Sequence, residues 1–477
     1  MKKTLPPVSV VGSGPNGLAA AAHLALAGFP VTVYEANATP GGGCRSREFT
    51  LPGFVHDVCS TVHPLGISSP AFRPLKLEEA GVEWLTAPLT LAHPFDGGEC
   101  VFLTGNIEDS AKSLGSDGGA YRSLMAPFVR EWEHLLPGLL APAFSPVVPP
   151  ALARFGLKAL RSARGLAESR FKTKEARALF AGIAAHAMIT LEAPGSAAFG
   201  LVLGVSLHAV GWPVARGGSH KVTDALLQRI KENGGEIITR KAVKTPSDIE
   251  GGGPLVLTFT PRQLLSFGEK ELPAGYREKL RAFRYGGGVC KVDWALSEPI
   301  PWRNEECKRA LSVHAGGTLE EIAANLKMVH EGGYPEKPFV IVVQPTVADP
   351  SRAPGGKHVG WAYCHVPNGS DFDMTGRIEA QIERFAPGFR DVILARHTLT
   401  AKNMEIYDPN YVGGDIGSGA NNLMQTLFRP VVGRSPHRIP VPGWYLCSAS
   451  TRPGGGVHGM CGYHAARNLI EDFLGKN

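Results

Sequence analysis

The chain lacks the side-chain patterns that mark several large enzyme classes. Its 477 residues contain no Gly-x-Ser-x-Gly, His-Glu-x-x-His or Walker motif. The eight cysteines are scattered, without a Cys-x-x-Cys pair and without the spacing of metal ligands. A closely spaced redox dithiol, a zinc site and an iron–sulfur cluster are therefore excluded as leading hypotheses, although a distant thiol pair stays open.

Charge of one sign and long apolar runs are also scarce. The net charge of +6 is small for this length, and no basic run is interleaved with aromatics, so we expect no nucleic-acid partner. The most apolar window, residues 193–214, is broken by glycine and proline and carries His208, which favours a buried or substrate-lining segment over a membrane span. No signal peptide is visible, and we expect a cytoplasmic protein, soluble or peripherally attached to a membrane.

One locally basic stretch bears on membrane attachment. Residues 151–181 are rich in alanine and leucine, and their periodicity predicts helices. Seven basic residues stud this stretch: Arg154, Lys158, Arg161, Arg164, Arg170, Lys172 and Lys174. They could lie on an anionic membrane surface, but the pattern favours a solvated helix face.

A glycine turn between a predicted strand and a predicted helix opens the chain. Gly12, Gly14 and Gly17 follow the apolar residues 8–11, include Pro15 and Asn16 between them, and precede an alanine-rich stretch. Such glycines allow a tight turn, a close approach of pyrophosphate to the backbone, and close packing of the helix on the strand. Glu35 ends the second predicted strand, where its carboxylate can accept a ribose hydroxyl. This pattern predicts an adenine dinucleotide, with FAD or NAD preferred to NADP.

A second glycine run distinguishes FAD from NAD. It follows Glu35 and Ala36, comprises Gly41, Gly42 and Gly43, and leads into Cys44 and Arg45. An NAD domain has no need of this run, whereas FAD extends away from the first turn and needs a second close backbone approach. A plain loop is the alternative.

A third glycine turn lies near the other end. Residues 443–450 read as a buried strand that leads into Gly454, Gly455, Gly456, Val457, His458 and Met460 at the start of a predicted helix. The helix N-terminus could stabilise negative charge on a pyrophosphate, a ribityl oxygen or a reduced isoalloxazine. His458 is the best sequence candidate for a proton-handling group, and a plain role in the turn is equally compatible with its position.

These segments resemble the FAD-dependent phytoene desaturase and carotenoid isomerase group, within the wider amine-oxidase-like flavoproteins. The motifs cover roughly a third of the chain. Residues 212–238 resemble the group's central segment that returns to the flavin domain, and the resemblance implies a further cofactor contact at Val243. Members often place Arg directly after the Gly-Gly pair. This chain has Gly43 there, and Arg45 is the candidate substitute.

The resemblance implies an α/β fold with a Rossmann-like FAD-binding domain of the glutathione-reductase type and a discontinuous α+β substrate domain. We expect FAD binding by residues 1–80, 212–265 and 436–477. A mainly helical substrate or lid region spans 81–211, and a substrate domain with a sheet spans 266–435. The glycine-rich residues 413–419 favour a surface loop over a cover for the substrate mouth.

The resemblance also implies the function. We expect a noncovalent FAD oxidoreductase that desaturates, saturates or isomerises an apolar, isoprenoid or polyene substrate, with oxygen or a quinone as electron acceptor. A flavin amine oxidase is the second hypothesis; it predicts an aromatic cage, for which Trp212, Tyr407 and Tyr445 are candidates. A non-catalytic flavin-binding assembly or scaffold protein is the third.

Overall fold

The computed structural model describes residues 5–142, 150–433 and 435–475. Within these ranges the chain forms sixteen strands, most of them buried. They are β1 Val8–Val11, β2 Val31–Tyr34, β3 Ser46–Arg47, β4 His56–Asp57, β5 Trp84–Leu85, β6 Leu89–Pro94, β7 Cys100–Leu103, β8 Val214–Ala215, β9 Glu236–Ile238, β10 Leu255–Leu257, β11 Gly288–Leu296, β12 Ala310–Ala315, β13 Val340–Val343, β14 His358–Val366, β15 Ile393–Leu399 and β16 Trp444–Leu446.

Eighteen α-helices connect and cover these strands in the same described ranges. They are α1 Pro15–Leu26, α2 Pro64–Ile67, α3 Ile107–Ser113, α4 Gly118–Arg130, α5 Trp132–Leu139, α6 Pro150–Ala159, α7 Ala163–Arg170, α8 Lys174–Ala184, α9 Ala197–Val210, α10 His220–Glu232, α11 Pro261–Phe267, α12 Ala274–Arg281, α13 Glu305–Arg309, α14 Leu319–His330, α15 Thr375–Phe385, α16 Ala401–Tyr407, α17 Leu423–Phe428 and α18 Met460–Leu474. None of them is long and apolar enough to cross a membrane.

A parallel sheet of five strands forms the nucleotide-binding half. Its order is β16-β10-β1-β2-β9, and every neighbouring pair is parallel. The central strand β1 is buried along its whole length, which explains its unbroken run of small and β-branched residues. The helix α1 packs between α10 and α18 on this sheet. The predicted Rossmann-like fold is confirmed, and the three-part assignment of this domain stays a prediction that the strand order supports.

A mixed sheet of seven strands forms the other half, in the order β15-β11-β14-β13-β12-β6-β7. Its neighbours are antiparallel except β12 and β6. Five of its strands, β11 to β15, lie within residues 266–435, where the sequence predicts a substrate domain with a sheet.

The hairpin of β6 and β7 differs from the expectation of a mainly helical region at 81–211. Both strands lie inside that region and join the seven-stranded sheet. The partner of β6 is β12, more than 200 residues later in the sequence, with Leu89 opposite Ala310. Burial of both faces removed the alternating pattern that marks a half-exposed strand, since all six residues of β6 are buried.

Candidate active site

A cavity of about 590 Å³ is lined by residues from both halves of the molecule. One part is lined by residues at the carboxyl ends of parallel strands, among them Val11 at the end of β1, Tyr34 at the end of β2 and Thr258 directly after β10. This is the edge at which open α/β sheets bind ligands. The other part is lined by the helical region and the seven-stranded sheet, which contribute His186, Phe199 and Tyr363.

The first glycine turn forms a cradle that side chains would fill. Gly12 has a φ of +99°, and a Cβ on it would lie 1.9 Å from Thr258 Oγ1. A Cβ on Gly17 would lie 2.1 Å from the Gly12 carbonyl oxygen. The first turn of α1 carries no acidic residue, and the buried Asn16 Oδ1 has no hydrogen-bond partner within the protein. The exposed amides of this helix end therefore favour an anion, and Asn16 offers an acceptor beside it.

Glu35 stands at the end of β2, as the sequence predicts, and it is held firmly. Its Oε2 accepts hydrogen bonds from the Ser13 hydroxyl at 2.5 Å and the Ser13 amide at 3.2 Å. Its Oε1 accepts from the amide of Asn37 at 2.7 Å and from Arg45 Nη2 at 3.1 Å. The carboxylate lines the cavity with a fixed orientation, so a ribose hydroxyl would meet a preorganised acceptor.

Arg45 and Gly43 differ from what the resemblance suggested. Arg45 lines the cavity, but its guanidinium is bound to Glu35 at the ribose end and to the Thr39 carbonyl at 2.8 Å. These contacts do not favour it as a substitute for the pyrophosphate or flavin contact. A Cβ on Gly43 would lie 1.8 Å from Tyr411 Oη. Tyr411 therefore fills the space that a side chain at position 43 would need.

The third glycine turn lines the cavity through Gly455, Gly456 and Val457. The loop at residues 413–419 lies directly against it, because a Cβ on Gly455 would be 3.3 Å from Gly417 Cα. Ile416, Gly417 and Ser418 line the cavity. The preference for a surface loop was wrong: Asp415 is buried and accepts hydrogen bonds from three amides, those of Gly286, Gly417 and Gly419.

His458 and Met460 do not line the cavity. Burial lowers the pKa of His458 to about 4, and its Nδ1 accepts a hydrogen bond from the Met460 amide at 3.1 Å. The His458 carbonyl accepts from Ser69 Oγ. These contacts favour the role in the turn over the proton-handling role, and the Met460 side chain is buried in the core beneath the turn.

The remaining sequence candidates do reach the cavity. Its lining includes Gly12, Gly14, Pro15, Asn16, Gly17, Glu35, Ala36, Gly42, Gly43, Arg45, Val243, Gly455, Gly456 and Val457. Local glycine and strand-end motifs predicted all of these positions except Val243, which the family resemblance implied.

Sequence reasoning missed the residues that distant elements bring to the cavity. They are, among others, Cys59, His186, Met188, Phe199, Tyr363, Asp408 and Tyr411. None belongs to a motif, and only the tertiary fold places them together. The proposed cage residues Trp212, Tyr407 and Tyr445 are absent from this lining. Tyr407 instead lies against the guanidinium of Arg45, and Tyr445 donates to Asp472 at 2.8 Å.

The cavity holds two thiols that are poor nucleophiles. Burial raises the pKa of Cys59 to about 11 and the pKa of Cys44 well above its usual value. A thiol is reactive as the thiolate, so the environment works against thiol–disulfide exchange. The described residues contain no group of three or more ligands suited to a metal ion.

The residues present fit an FAD molecule. The glycine cradle and the N-terminal amides of α1 suit a pyrophosphate, the fixed Glu35 carboxylate suits a ribose, and residues of the second and third glycine turns line the same cavity. Fold and site define an α/β oxidoreductase that binds a dinucleotide at the carboxyl edge of a parallel sheet.

Comparison with known proteins specifies this class further. Residues 10–75 match the model of an NAD(P)-binding Rossmann-like domain. The chain is 26% identical to the rat "Pyridine nucleotide-disulfide oxidoreductase domain-containing protein 2", over 97% of this chain and 93% of that protein. It is also 26% identical to a phytoene desaturase of Fusarium fujikuroi, over 94% of this chain and 86% of the desaturase.

Solved structures confirm the fold. The chain superposes on the structure of a putrescine oxidase with a TM-score of 0.64 and 16% identity, covering 99% of both chains. Together, the comparisons confirm the resemblance to phytoene desaturases within the amine-oxidase-like fold. The chain is an FAD oxidoreductase that is similar to a phytoene desaturase over 94% of its length.

Proposed function

We propose that the protein removes hydrogen from, or adds it to, carbon–carbon bonds of an apolar isoprenoid or polyene substrate. The observation that carries this proposal is the lining of the cavity beyond the glycine turns. Met188, Phe199 and Ile416 give it apolar side chains. Two carboxylates are found among the described lining residues, Glu35 and Asp408, and both lie beside the glycine runs.

The chain's own residues would act by holding the cofactor and keeping water out. When bound, FAD supplies an acceptor for a hydride at N5 of its ring. The turns at Gly12, Gly42 and Gly455 would hold the cofactor against the backbone, and Glu35 would orient its ribose end. Phe199 and Ile416 would hold an apolar chain in a dry space, where a carbon–hydrogen bond can be aligned without competition from solvent.

A flavin amine oxidase is the second candidate, and one observation favours it. Tyr363 and Tyr411 both line the cavity, and burial raises the pKa of each phenol, so that both stay neutral. Neutral aromatic rings can bind an amine through their faces. No described carboxylate lies beside this pair to bind an ammonium group except Asp408, and burial raises the pKa of that carboxyl.

Anaerobic mixing with candidate substrates tests the proposal. Phytoene in detergent micelles should bleach the visible absorbance of the bound flavin, and putrescine should not. Bleaching by putrescine alone would overturn the proposal in favour of the amine oxidase. Bleaching by neither, in a protein that holds FAD, would favour the assembly or scaffold hypothesis.

The same experiment, repeated in air, identifies the electron acceptor. Reoxidation with release of peroxide would indicate that oxygen is the electron acceptor, which is the acceptor that we propose. Slow reoxidation in air that becomes fast on adding a soluble quinone would indicate the quinone instead.

We also propose that the helix α6 contacts a membrane that stores the apolar substrate. Leu157 and Leu160 are 76% and 50% exposed, and Lys158 lies between them. Arg154 is paired with Glu131 at 2.6 Å, which leaves part of the basic stretch neutralised. The protein should sediment with vesicles that contain phosphatidylglycerol, and Leu157→Asp should weaken this. Equal recovery of both proteins in the supernatant would contradict the contact.

A further inference from the structure

Three histidines form a row that begins at the cavity; His93 and His314 are buried, and His186 is half-buried. His186 follows α8 and lines the cavity, His314 lies on β12, and His93 lies on β6. The strands β6 and β12 are parallel neighbours with Ala92 opposite Val313, so His93 and His314 follow side by side on one face of the sheet. The Nε2 atoms of His186 and His314 are 3.1 Å apart.

The distance between the Nε2 atoms of His186 and His314 requires one proton between them. Two neutral imidazoles at this distance form a hydrogen bond when one Nε2 carries hydrogen and the other carries a lone pair. Burial lowers the pKa of His186 to about 4 and the pKa of His314 further, so both rings are neutral at physiological pH. Because the Nε2 edge of His186 faces His314, its Nδ1 edge is left for a group in the cavity.

The third ring extends the row. The Nε2 of His93 lies 2.7 Å from the Gly317 carbonyl, which can only accept, so Nε2 carries the proton and the buried Nδ1 carries a lone pair. The unpartnered Nδ1 atoms of His314 and His93 both lie beside Gly182, at 2.8 and 3.4 Å from where its Cβ would be. The missing side chain at Gly182 gives both nitrogens room on the same side of α8.

We propose that His186 is the proton-handling residue of the cavity and that His314 exchanges the proton with it. This inference rests on the proposed function at carbon–carbon bonds. Desaturation breaks two C–H bonds and forms a C=C bond: one hydrogen leaves as hydride to the flavin, and the other leaves as a proton to Nδ1 of His186. His186 then exchanges its Nε2 proton with Nε2 of His314, so the pair holds one extra proton, which returns to the cavity when the electron acceptor reoxidises the flavin and takes up a proton.

This assignment separates the two candidate reactions. Loss of hydride from the carbon of a neutral amine gives an iminium ion and needs no second carbon-bound proton to be removed. A neutral imidazole in an apolar wall is suited to a carbon acid or to a polyene, which offers no other basic atom. Saturation would use the same residues in reverse, with His186 donating the proton.

The groups that surround the row define its pH dependence. His186 faces His314 and His365 and lies near Trp212, with ring centroids 6.3 Å apart. At the outer end, His93 feels the Glu321 carboxylate, which raises its pKa slightly against the larger effect of burial. Arg384 pairs with Glu321 at 2.9 Å and offsets that charge. No anion therefore holds the row in the protonated state.

The test combines kinetics with a measurement that needs no turnover. His186→Gln should slow anaerobic flavin reduction by phytoene by about 100-fold or more, the usual effect of losing a general base, without loss of bound FAD. His314→Phe should slow it less and should abolish the solvent isotope effect carried by the shared proton. His437→Gln removes another buried histidine, which bonds the Leu446 carbonyl, and should leave the rate unchanged.

Nitrogen-15 labelling of histidine gives the second readout. Among the slowly exchanging imidazole protons, the wild-type protein should show one shared between the Nε2 atoms of His186 and His314, and His314→Phe should lose that signal while the Nε2 proton of His93 is kept. Reduction of both row variants at the wild-type rate would overturn the relay while leaving the proposed function intact. If phytoene does not reduce the wild-type flavin, the proposed function fails, and the labelled spectrum alone decides the pair: absence of the shared proton overturns it.

Discussion

Substitution of Gly43 by alanine tests how this chain replaced the arginine that its relatives often carry. A Cβ at this position would lie 1.8 Å from Tyr411 Oη and 3.2 Å from Cζ, with Cys59 Cβ at 3.5 Å. The hydroxyl is therefore the principal obstacle. Since Tyr411 is buried among packed residues, it cannot move freely, and we expect Gly43→Ala to lower the free energy of unfolding by about 1–3 kcal/mol, the usual cost of overpacking.

A double-mutant cycle isolates that contact. Tyr411→Phe removes the hydroxyl and leaves a nearest distance of 3.2 Å, which small shifts can accommodate. Alone, this substitution should lower the free energy of unfolding by about 1 kcal/mol, because the hydroxyl's hydrogen bond is lost. The double variant should lose at least about 1 kcal/mol less free energy of unfolding than the two single variants lose in sum, because the effects of substitutions at two clashing positions are not additive.

Urea unfolding, followed by tryptophan fluorescence, measures all three variants, and the visible spectrum reports the FAD that each retains. Gly119→Ala is the matched control, because a Cβ there would meet nothing within 4 Å on the helix α4. The reasoning is refuted if Gly43→Ala is as stable as Gly119→Ala, or if the cycle is additive.

Three further predictions follow from the same structure. Gly17→Ala places a methyl group 2.1 Å from the Gly12 carbonyl oxygen, so the purified variant should lack flavin absorbance; a yellow protein with full FAD content would contradict this. Burial lowers the pKa of His365 and His437 to about 3 each, so both favour the neutral form in the fold. Their contribution to the free energy of unfolding is then fully present above the unfolded pKa of about 6.5 and is lost as the pH falls. For the two residues together the loss is about 4 kcal/mol between pH 7 and pH 5, and a urea midpoint that stays constant over that range would contradict this prediction. Because burial lowers the pKa of His186 to about 4, the rate of flavin reduction by phytoene should be constant above about pH 5 and should fall tenfold per pH unit below pH 4. Stopped-flow mixing measures this rate, and an inflection near pH 6.5 would contradict the prediction.

The nucleotide end of the site could be predicted because its chemistry is local in sequence. Gly12, Gly14, Gly17 and Glu35 belong to one strand–helix–strand unit, and the spacing of that unit is set by the length of one helix. A single chain segment therefore carries both the fold and the ligand contacts.

The far end could not be predicted, since it is assembled from distant elements. His186, Tyr363 and Tyr411 come from a turn after α8, from β14 and from the residues after α16. Nothing near them in sequence marks them as cavity residues. His458 shows the opposite error: its position in a glycine turn suggested chemistry, but the turn itself needs that ring as an acceptor for the Met460 amide.

The order of strands in the parallel sheet has a consequence for synthesis of the chain. Until β9 at residues 236–238 has been made, β1 has β2 as its only partner from this sheet, and the edge strand β16 follows more than 180 residues after β10. Two parallel strands alone are not stable in water. On the ribosome, the glycine cradle therefore emerges early, but the neighbouring strands β9 and β10 are missing until about half of the polypeptide has been translated. Chaperones that hold nascent chains would meet the nucleotide segment in an unfolded state, and FAD could bind only late in translation or after release.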